Sequence, residues 1–149
     1  MFNEVLSVGD SNSRWFLITA AVVLVISLVE AWIVSLIYYL KVQGFKKIFP
    51  SPHQLIRSHV DYCIMAGLLG LFYVAVQSLN ITLPTIIIAL ACIGAIYNPS
   101  PFIIMAMKKP DELRGGITRK TGVFICIGVM PVTIGYGYIA FSIIGHALL

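Results

Sequence analysis

The chain has 149 residues, of which 59% are hydrophobic and only 11% are charged. A soluble domain carries about 25% charged residues, so this chain has too few charges to solvate a globular surface. The composition excludes an ordinary soluble domain. It predicts an all-α integral membrane protein in which residues 1–149 form one transmembrane four-helix bundle.

The charges are placed unevenly along the chain. Nine of the ten lysines and arginines lie in two segments, 41–57 and 108–120, and the net charge is +4. Basic segments beside membrane spans favour the cytoplasmic side, so we predict both loops in the cytoplasm and both termini outside. Few aromatic residues accompany these charges, and we therefore interpret them as contacts with the lipid bilayer, with no nucleic acid as partner.

The first span is predicted over residues 15–40, which exceeds the roughly 20 helical residues needed to cross a bilayer. Glu30 lies past its middle, where an unpaired charge costs about 3 kcal/mol or more. The carboxyl is expected to be protonated, paired or facing a polar interior. A neutral carboxyl bonded between helices, or one near the interface because the helix is shifted, remains the alternative.

The second span is predicted over residues 59–79, after a loop that contains an exposed His53. Its first turn carries His59 and Asp61, which point to different sides of a helix because they are two residues apart. Tyr62 and Cys63 follow His59 at helical spacing and share its face. His59 could be a proton carrier, a metal ligand, a haem ligand or an interfacial residue.

The third span is predicted over residues 83–107 and contains Tyr97, Asn98, Pro99 and Pro101. Each proline removes a backbone donor, and a helix broken beside polar residues lines a cavity or packs on protein. A simple kink is the alternative.

The fourth span, residues 121–148, contains Pro131 and the stretch from Gly135 to Tyr138, which could admit a ligand or pack tightly. Two small-residue pairs, Ala66-x-x-x-Gly70 and Ala91-x-x-x-Ala95, offer faces for close helix packing and for a homo-oligomer. The three cysteines show no metal-type spacing and are predicted to be buried free thiols.

Two short motifs resemble those of the small four-span bacterial isomerases that include styrene oxide isomerase and hydroxylaminobenzene mutase. The run from His59 to Ala66 resembles a pattern of His, any residue, an acidic residue, three residues, Asn and Gly, although Met65 replaces the asparagine. The run from Gly94 to Asn98 resembles a Gly-x-x-x-Asn element. The resemblance covers these motifs and the four-span plan.

The resemblance implies a haem-dependent isomerase in a bacterial inner membrane, acting on a small lipophilic substrate. His59 would be the axial iron ligand of a haem b held between the protomers of a trimer, with Tyr62 beside it. Asn98, Tyr97, Asp61 and Glu30 would be the candidate catalytic residues. The ferric iron would act as a Lewis acid on an epoxide or hydroxylamine oxygen.

Two other functions are compatible with the same residues. A carboxylate in the first of four spans is similar to that of small proton-coupled multidrug exporters, so Glu30 could exchange a proton for a cation. A single haem histidine would also suit a non-catalytic membrane anchor subunit.

Overall fold

The computed structural model describes residues 11–114 and 119–148. A short 3-10 helix at Ser11–Ser13 comes first. The α-helices of the described residues are α1 (Arg14–Tyr38), α2 (Gln43–Ile48), α3 (Pro52–Ser78), α4 (Thr85–Tyr97), α5 (Ser100–Ala106), α6 (Pro110–Arg114) and α7 (Arg119–Ala147). No strand occurs in this part of the chain.

Four stretches are long and apolar enough to cross a membrane: Arg14–Tyr38, Pro52–Ser78, Thr85–Ala106 and Ile125–Ala147. We call them the first to fourth spans, the third being α4 and α5 together. They confirm the predicted all-α four-helix bundle and the multi-pass membrane character of the chain. The first span packs mainly on the second and the third on the fourth, while the second also contacts α5.

Hydrogen bonds near the helix ends join the spans at both ends of the bundle. At the basic end, the Ser51 amide donates to the Ala106 carbonyl at 3.1 Å and the Ser51 hydroxyl donates to the Lys108 carbonyl at 2.8 Å. At the opposite end, the Asn12 side-chain amide donates to the Thr85 hydroxyl at 3.3 Å. The two basic segments therefore lie at the same end of the bundle. This is required because two spans, the second and the third, separate them along the chain.

The apolar core lies in the half of the bundle away from the basic loops. It contains the buried side chains of Phe16, Leu69, Phe72, Ala91 and Ile139, among others. The Phe72 and Tyr136 rings meet edge to face with centroids 5.0 Å apart. Most of the buried polar residues, among them Glu30, Gln54 and Ser58, lie in the half nearer the basic loops.

The second span begins at Pro52, seven residues before the predicted start at His59. Proline suits the first helical turn because its missing N–H would have no partner there. Leu55 and Ser58 are buried, so the early turns pack on the bundle. The prediction of a loop at His53 is therefore wrong, although His53 is exposed as expected. His59 lies about two turns inside the helix.

Asn80 ends the second span in the left-handed conformation, with φ of 50°. The Ile81 amide donates to the Val76 carbonyl at 3.0 Å, and the Asn80 amide donates to the Gln77 carbonyl at 3.3 Å. This is the Schellman arrangement, completed by burial of both Val76 and Ile81. The turn between the second and third spans is thereby fixed.

Glycines set the close approach of the third and fourth spans. A Cβ at Gly94 would lie 2.6 Å from Val132 Cα, and one at Gly135 would lie 2.6 Å from the Ala91 nitrogen. The Ala91-x-x-x-Ala95 face is thus used within the chain, and Gly135 packs tightly, whereas a Cβ at Gly137 would meet no atom within 4 Å. A Cβ at Gly70 would also meet no atom within 4 Å, so the Ala66-x-x-x-Gly70 face is open.

Candidate intramembrane site

Two adjacent residues of the second span, Ser58 and His59, bond to two different residues of the first span. Successive helical residues are rotated by about 100°, so the two side chains leave α3 in different directions. Their partners, Glu30 and Ser27, are three residues apart and share one face of α1. The predicted residues Glu30 and His59 therefore lie at one level of the bundle, but each bonds to a different serine and not to the other.

Glu30 is buried, with 4% of its surface exposed. Its Oε1 accepts a hydrogen bond from the Ser58 hydroxyl at 2.8 Å, whereas its Oε2 has no partner among the described residues. A buried carboxyl oxygen without a partner is costly, because it has lost its hydrogen bonds to water. Glu30 is thus buried inside the bundle and bonded to a neighbouring helix, which agrees both with the expected polar interior and with the alternative of a carboxyl bonded between helices.

Further polar side chains extend this arrangement along one face of the second span. Gln54 and Tyr62 lie four residues before and after Ser58, and all three are buried. The Gln54 Oε1 also has no partner among the described residues. We call Glu30, Gln54, Ser58 and Tyr62 the polar seam.

The polar seam faces the interruption of the third span between α4 and α5. Pro101 cannot donate to the Tyr97 carbonyl, which instead accepts from the Ser100 hydroxyl at 2.7 Å. The Tyr62 hydroxyl donates to the Ile96 carbonyl at 3.0 Å, and the Ser58 hydroxyl lies 3.4 Å from the Pro99 carbonyl. Tyr62 of the second span thus satisfies a backbone carbonyl at the break, and the buried prolines Pro99 and Pro101 pack on protein there.

His59 is held by the backbone of the first span. Its Nδ1 lies 2.9 Å from the Ser27 carbonyl oxygen and 2.7 Å from the Ser27 Oγ. A carbonyl can only accept, so we assign the proton to Nδ1, which leaves a lone pair on Nε2. The Nε2 atom makes no hydrogen bond to any described residue. A free Nε2 opposite a tethered Nδ1–H is the arrangement found for metal-binding histidines.

The imidazole of His59 lies at the outer edge of the contact between the first and second spans. His59 itself is partly buried, but Cys63, one turn further on the same face, is exposed. The Cys63 Sγ lies 3.0 Å from the Ser27 Oγ. The neighbouring side chains Val60 and Ile64 are about half exposed and apolar, so this edge faces lipid or another molecule.

The expectation of three buried thiols is wrong for two of them. Cys63 and Cys126 are exposed on the surface of the chain, and Cys92 is partly buried. Their thiols lie on helix faces that would meet lipid, where an apolar group is stable without burial in protein.

The remaining predicted residues take separate positions. Asp61 is partly buried and its side chain has no hydrogen-bond or ionic partner among the described residues. Tyr97 is 50% exposed. The Asn98 amide donates to the Gly94 carbonyl at 2.8 Å, while its side chain bonds to no described residue. Neither Tyr97 nor Asn98 has a side-chain hydrogen bond to His59 or Glu30.

Met65 stands where the resembled pattern has asparagine, and it has a structural role. Its side chain is partly buried against the apolar core, and its carbonyl accepts from the Tyr136 hydroxyl at 3.4 Å. A side chain directed to the core does not reach the histidine face of the same helix.

Sequence reasoning missed Ser27 and Ser58, which hold the two ionisable residues. Their signal was spacing: Ser27 precedes Glu30 by three residues, and Ser58 precedes Tyr62 by four. Such spacing puts each pair on one helix face.

No group of three or more histidine, cysteine, aspartate or glutamate side chains able to hold a metal ion occurs within residues 11–114 and 119–148. A comparison with protein-family models, curated proteins and solved structures finds no match to this chain. The fold and the polar residues define a multi-pass helical membrane protein with an ionisable site between its first three spans.

Proposed function

We propose that this chain is a membrane-embedded, haem-dependent isomerase of a small lipophilic substrate, located in a bacterial inner membrane. The observation that supports the proposal is the state of His59. Its Nδ1 lies 2.9 Å from the Ser27 carbonyl oxygen, and with the proton that we assign to Nδ1 the Nε2 atom keeps a free lone pair at an apolar edge of the bundle. This donor fits a haem iron, whose proximal ligand is commonly one imidazole nitrogen.

His59 would hold the haem, and Ser27 would fix the orientation of the ring. Ferric haem, when bound, supplies a Lewis acid that polarises the oxygen of an epoxide or hydroxylamine, so that rearrangement needs no net oxidation or reduction. Tyr62, the other predicted cofactor residue, donates its hydroxyl to the Ile96 carbonyl. We therefore assign Tyr62 to holding the break in the third span beside the site.

The candidate catalytic residues would contribute in different ways. Asp61 has no partner among the described residues and would transfer protons from a different side of the helix than the one that carries His59. Asn98 and Tyr97 would line the substrate pocket from the third span. Glu30 would set the polarity behind His59 through its bond to Ser58.

A homo-oligomer, proposed as a trimer from the family resemblance, would complete the site. The His59 edge is flanked by the half-exposed side chains of Val60 and Ile64. A planar macrocycle at this edge needs a second wall to be shielded from lipid. The open face at Gly67 and Gly70 of the same span would let another copy approach closely.

Turnover without a redox partner tests the proposal. Purified, haem-loaded protein is incubated anaerobically, without reductant, with a panel of aryl epoxides and aryl hydroxylamines. We expect isomeric products of unchanged mass from at least one substrate. Haem binding without turnover of any panel member would contradict the isomerase and favour the membrane anchor subunit.

A second candidate function, proton-coupled transport, is favoured by a different observation. Glu30 is buried, its Oε2 is unpartnered among the described residues, and the third span is interrupted beside it. A carboxyl next to a broken helix in a membrane is typical of a site that exchanges a proton for a substrate.

Proton release tests this transporter. If the chain exchanges protons for cations, adding a lipophilic cation to the purified protein in weakly buffered detergent releases protons. The variant Glu30→Gln abolishes this release. Glu112→Gln, at an exposed position of α6, is the matched control and should release as much as wild type. Equal release from wild type and Glu30→Gln would exclude Glu30 as the exchanging group.

A further inference from the structure

A half-open cavity of about 270 Å³ lies at the basic end of the bundle, away from the intramembrane site. It is formed where the first span ends, α2 begins and the second span starts. Its lining residues are Ile37, Tyr38, Lys41, Gln43, Lys46 and Pro52. The cavity thus joins an apolar floor from the first span to a rim with two lysines.

The two lysines bring positive charge to the rim of the cavity. No acidic residue lines the cavity, and neither Lys41 nor Lys46 has an ionic partner among the described residues. Lys41 also has a φ of 51°, a left-handed conformation that costs a non-glycine residue about 1 kcal/mol or more. The turn therefore keeps a lysine where glycine or asparagine would fit the backbone better.

The surroundings of the cavity are those of a membrane interface. Tyr39 and Leu40, at the end of the first span, are largely exposed, and so is Ile48 of α2. These apolar and aromatic groups suit the boundary between acyl chains and headgroups. Basic pockets at this depth, on the side that carries the positive loops, suit anionic lipids.

We propose that this cavity binds the phosphate of an anionic phospholipid headgroup. Lys41 and Lys46 contact the phosphate, the Gln43 side chain bonds to headgroup oxygens, and the acyl chains lie along the exposed end of the first span. The bound lipid fixes α2 against the bundle and so holds the loop that leads into the second span. This inference does not depend on the function of Glu30 or His59.

Lipid-dependent thermal stabilisation in neutral detergent tests the assignment. Three probes are compared at matched concentration: phosphatidylglycerol, phosphatidylcholine of the same chain length, and inorganic phosphate. We expect phosphatidylglycerol alone to stabilise wild type strongly. Each interfacial lysine adds appreciably to anionic lipid binding. The double variant Lys41→Gln/Lys46→Gln should therefore need about ten times more phosphatidylglycerol, or still more, to be stabilised to the same degree.

The matched control is Lys47→Gln/Lys109→Gln, which removes the same charge from exposed residues outside the cavity. It should keep most of the phosphatidylglycerol effect. Equal stabilisation by phosphatidylcholine, or equal losses in the two double variants, would overturn the proposal. Stabilisation by inorganic phosphate equal to that by the lipid would assign the cavity to a free anion instead.

Discussion

Replacing His59 by alanine is expected to weaken haem binding by more than about 100-fold, because it removes the only proposed bond between the chain and the iron. Removing a group that merely orients a metal ligand lowers metal affinity by about 10–100-fold, so removing the ligand itself should lower it further. The measurement is a titration of apoprotein with ferric haem, followed by absorption. Size-exclusion chromatography of each variant checks that it is folded.

Two variants separate ligation from general effects. His53→Ala changes an exposed histidine in the first turn of the same helix and should bind haem as wild type does. Ser27→Ala removes the hydroxyl but keeps the carbonyl that accepts from Nδ1. The haem affinity of this variant should therefore fall by no more than about tenfold. Equal haem affinity in His59→Ala and wild type would remove His59 from the cofactor site.

Replacing Gly94 by alanine is expected to lower the free energy of unfolding by about 2 kcal/mol, within the range measured for overpacked cores. The added methyl would lie 2.6 Å from Val132 Cα and closer still to the Val132 nitrogen. Backbone atoms cannot rotate away as a side chain can, so the third and fourth spans must separate. Reversible unfolding in mixed detergent micelles measures the change.

The matched control is Gly137→Ala, also inside a membrane-spanning helix and outside the face proposed for oligomer contact. A Cβ there meets no atom within 4 Å. Alanine is about 1 kcal/mol more favourable than glycine in a helix interior, so this variant should be as stable as wild type or more stable. A Gly94→Ala protein that equals Gly137→Ala in stability would show that the two spans are not in close contact.

The positions of the four spans were predictable from sequence because each contains enough apolar residues to cross a bilayer. The start of the second span was not. Residues 52–58 include His53, Gln54 and Arg57, which lower the apolar signal. The helix forms there because Pro52 suits its first turn and Leu55 and Ser58 are buried, and burial depends on neighbouring spans.

The candidate site was partly predictable for a related reason. Glu30 and His59 are conspicuous because ionisable residues are rare within membrane spans. Serine is ordinary in such spans, and the helical spacing of Ser27 and Ser58 puts each on a polar face without showing which residue of the other span it would bond. The pairing depends on how the first and second spans are rotated about their axes. The sequence of one span alone does not specify that rotation.

Small-residue faces illustrate the same limit. Ala66-x-x-x-Gly70 and Ala91-x-x-x-Ala95 are equivalent as patterns. In the structure the second contributes to the contact with the fourth span, through Ala91 and its neighbour Gly94, whereas the first is open at Gly70. A pattern shows that a close approach is possible, but the packing of the whole bundle determines which face is used.

The most direct measurement of the central proposal is an absorption spectrum of the purified wild-type protein, oxidised and then reduced, after expression with ample haem precursor. The account predicts a strong Soret band that shifts on reduction, with about one haem per His59 or a fixed fraction set by the oligomer. A colourless protein that remains folded and does not take up added haem would contradict it, and Glu30 would then be the leading functional residue.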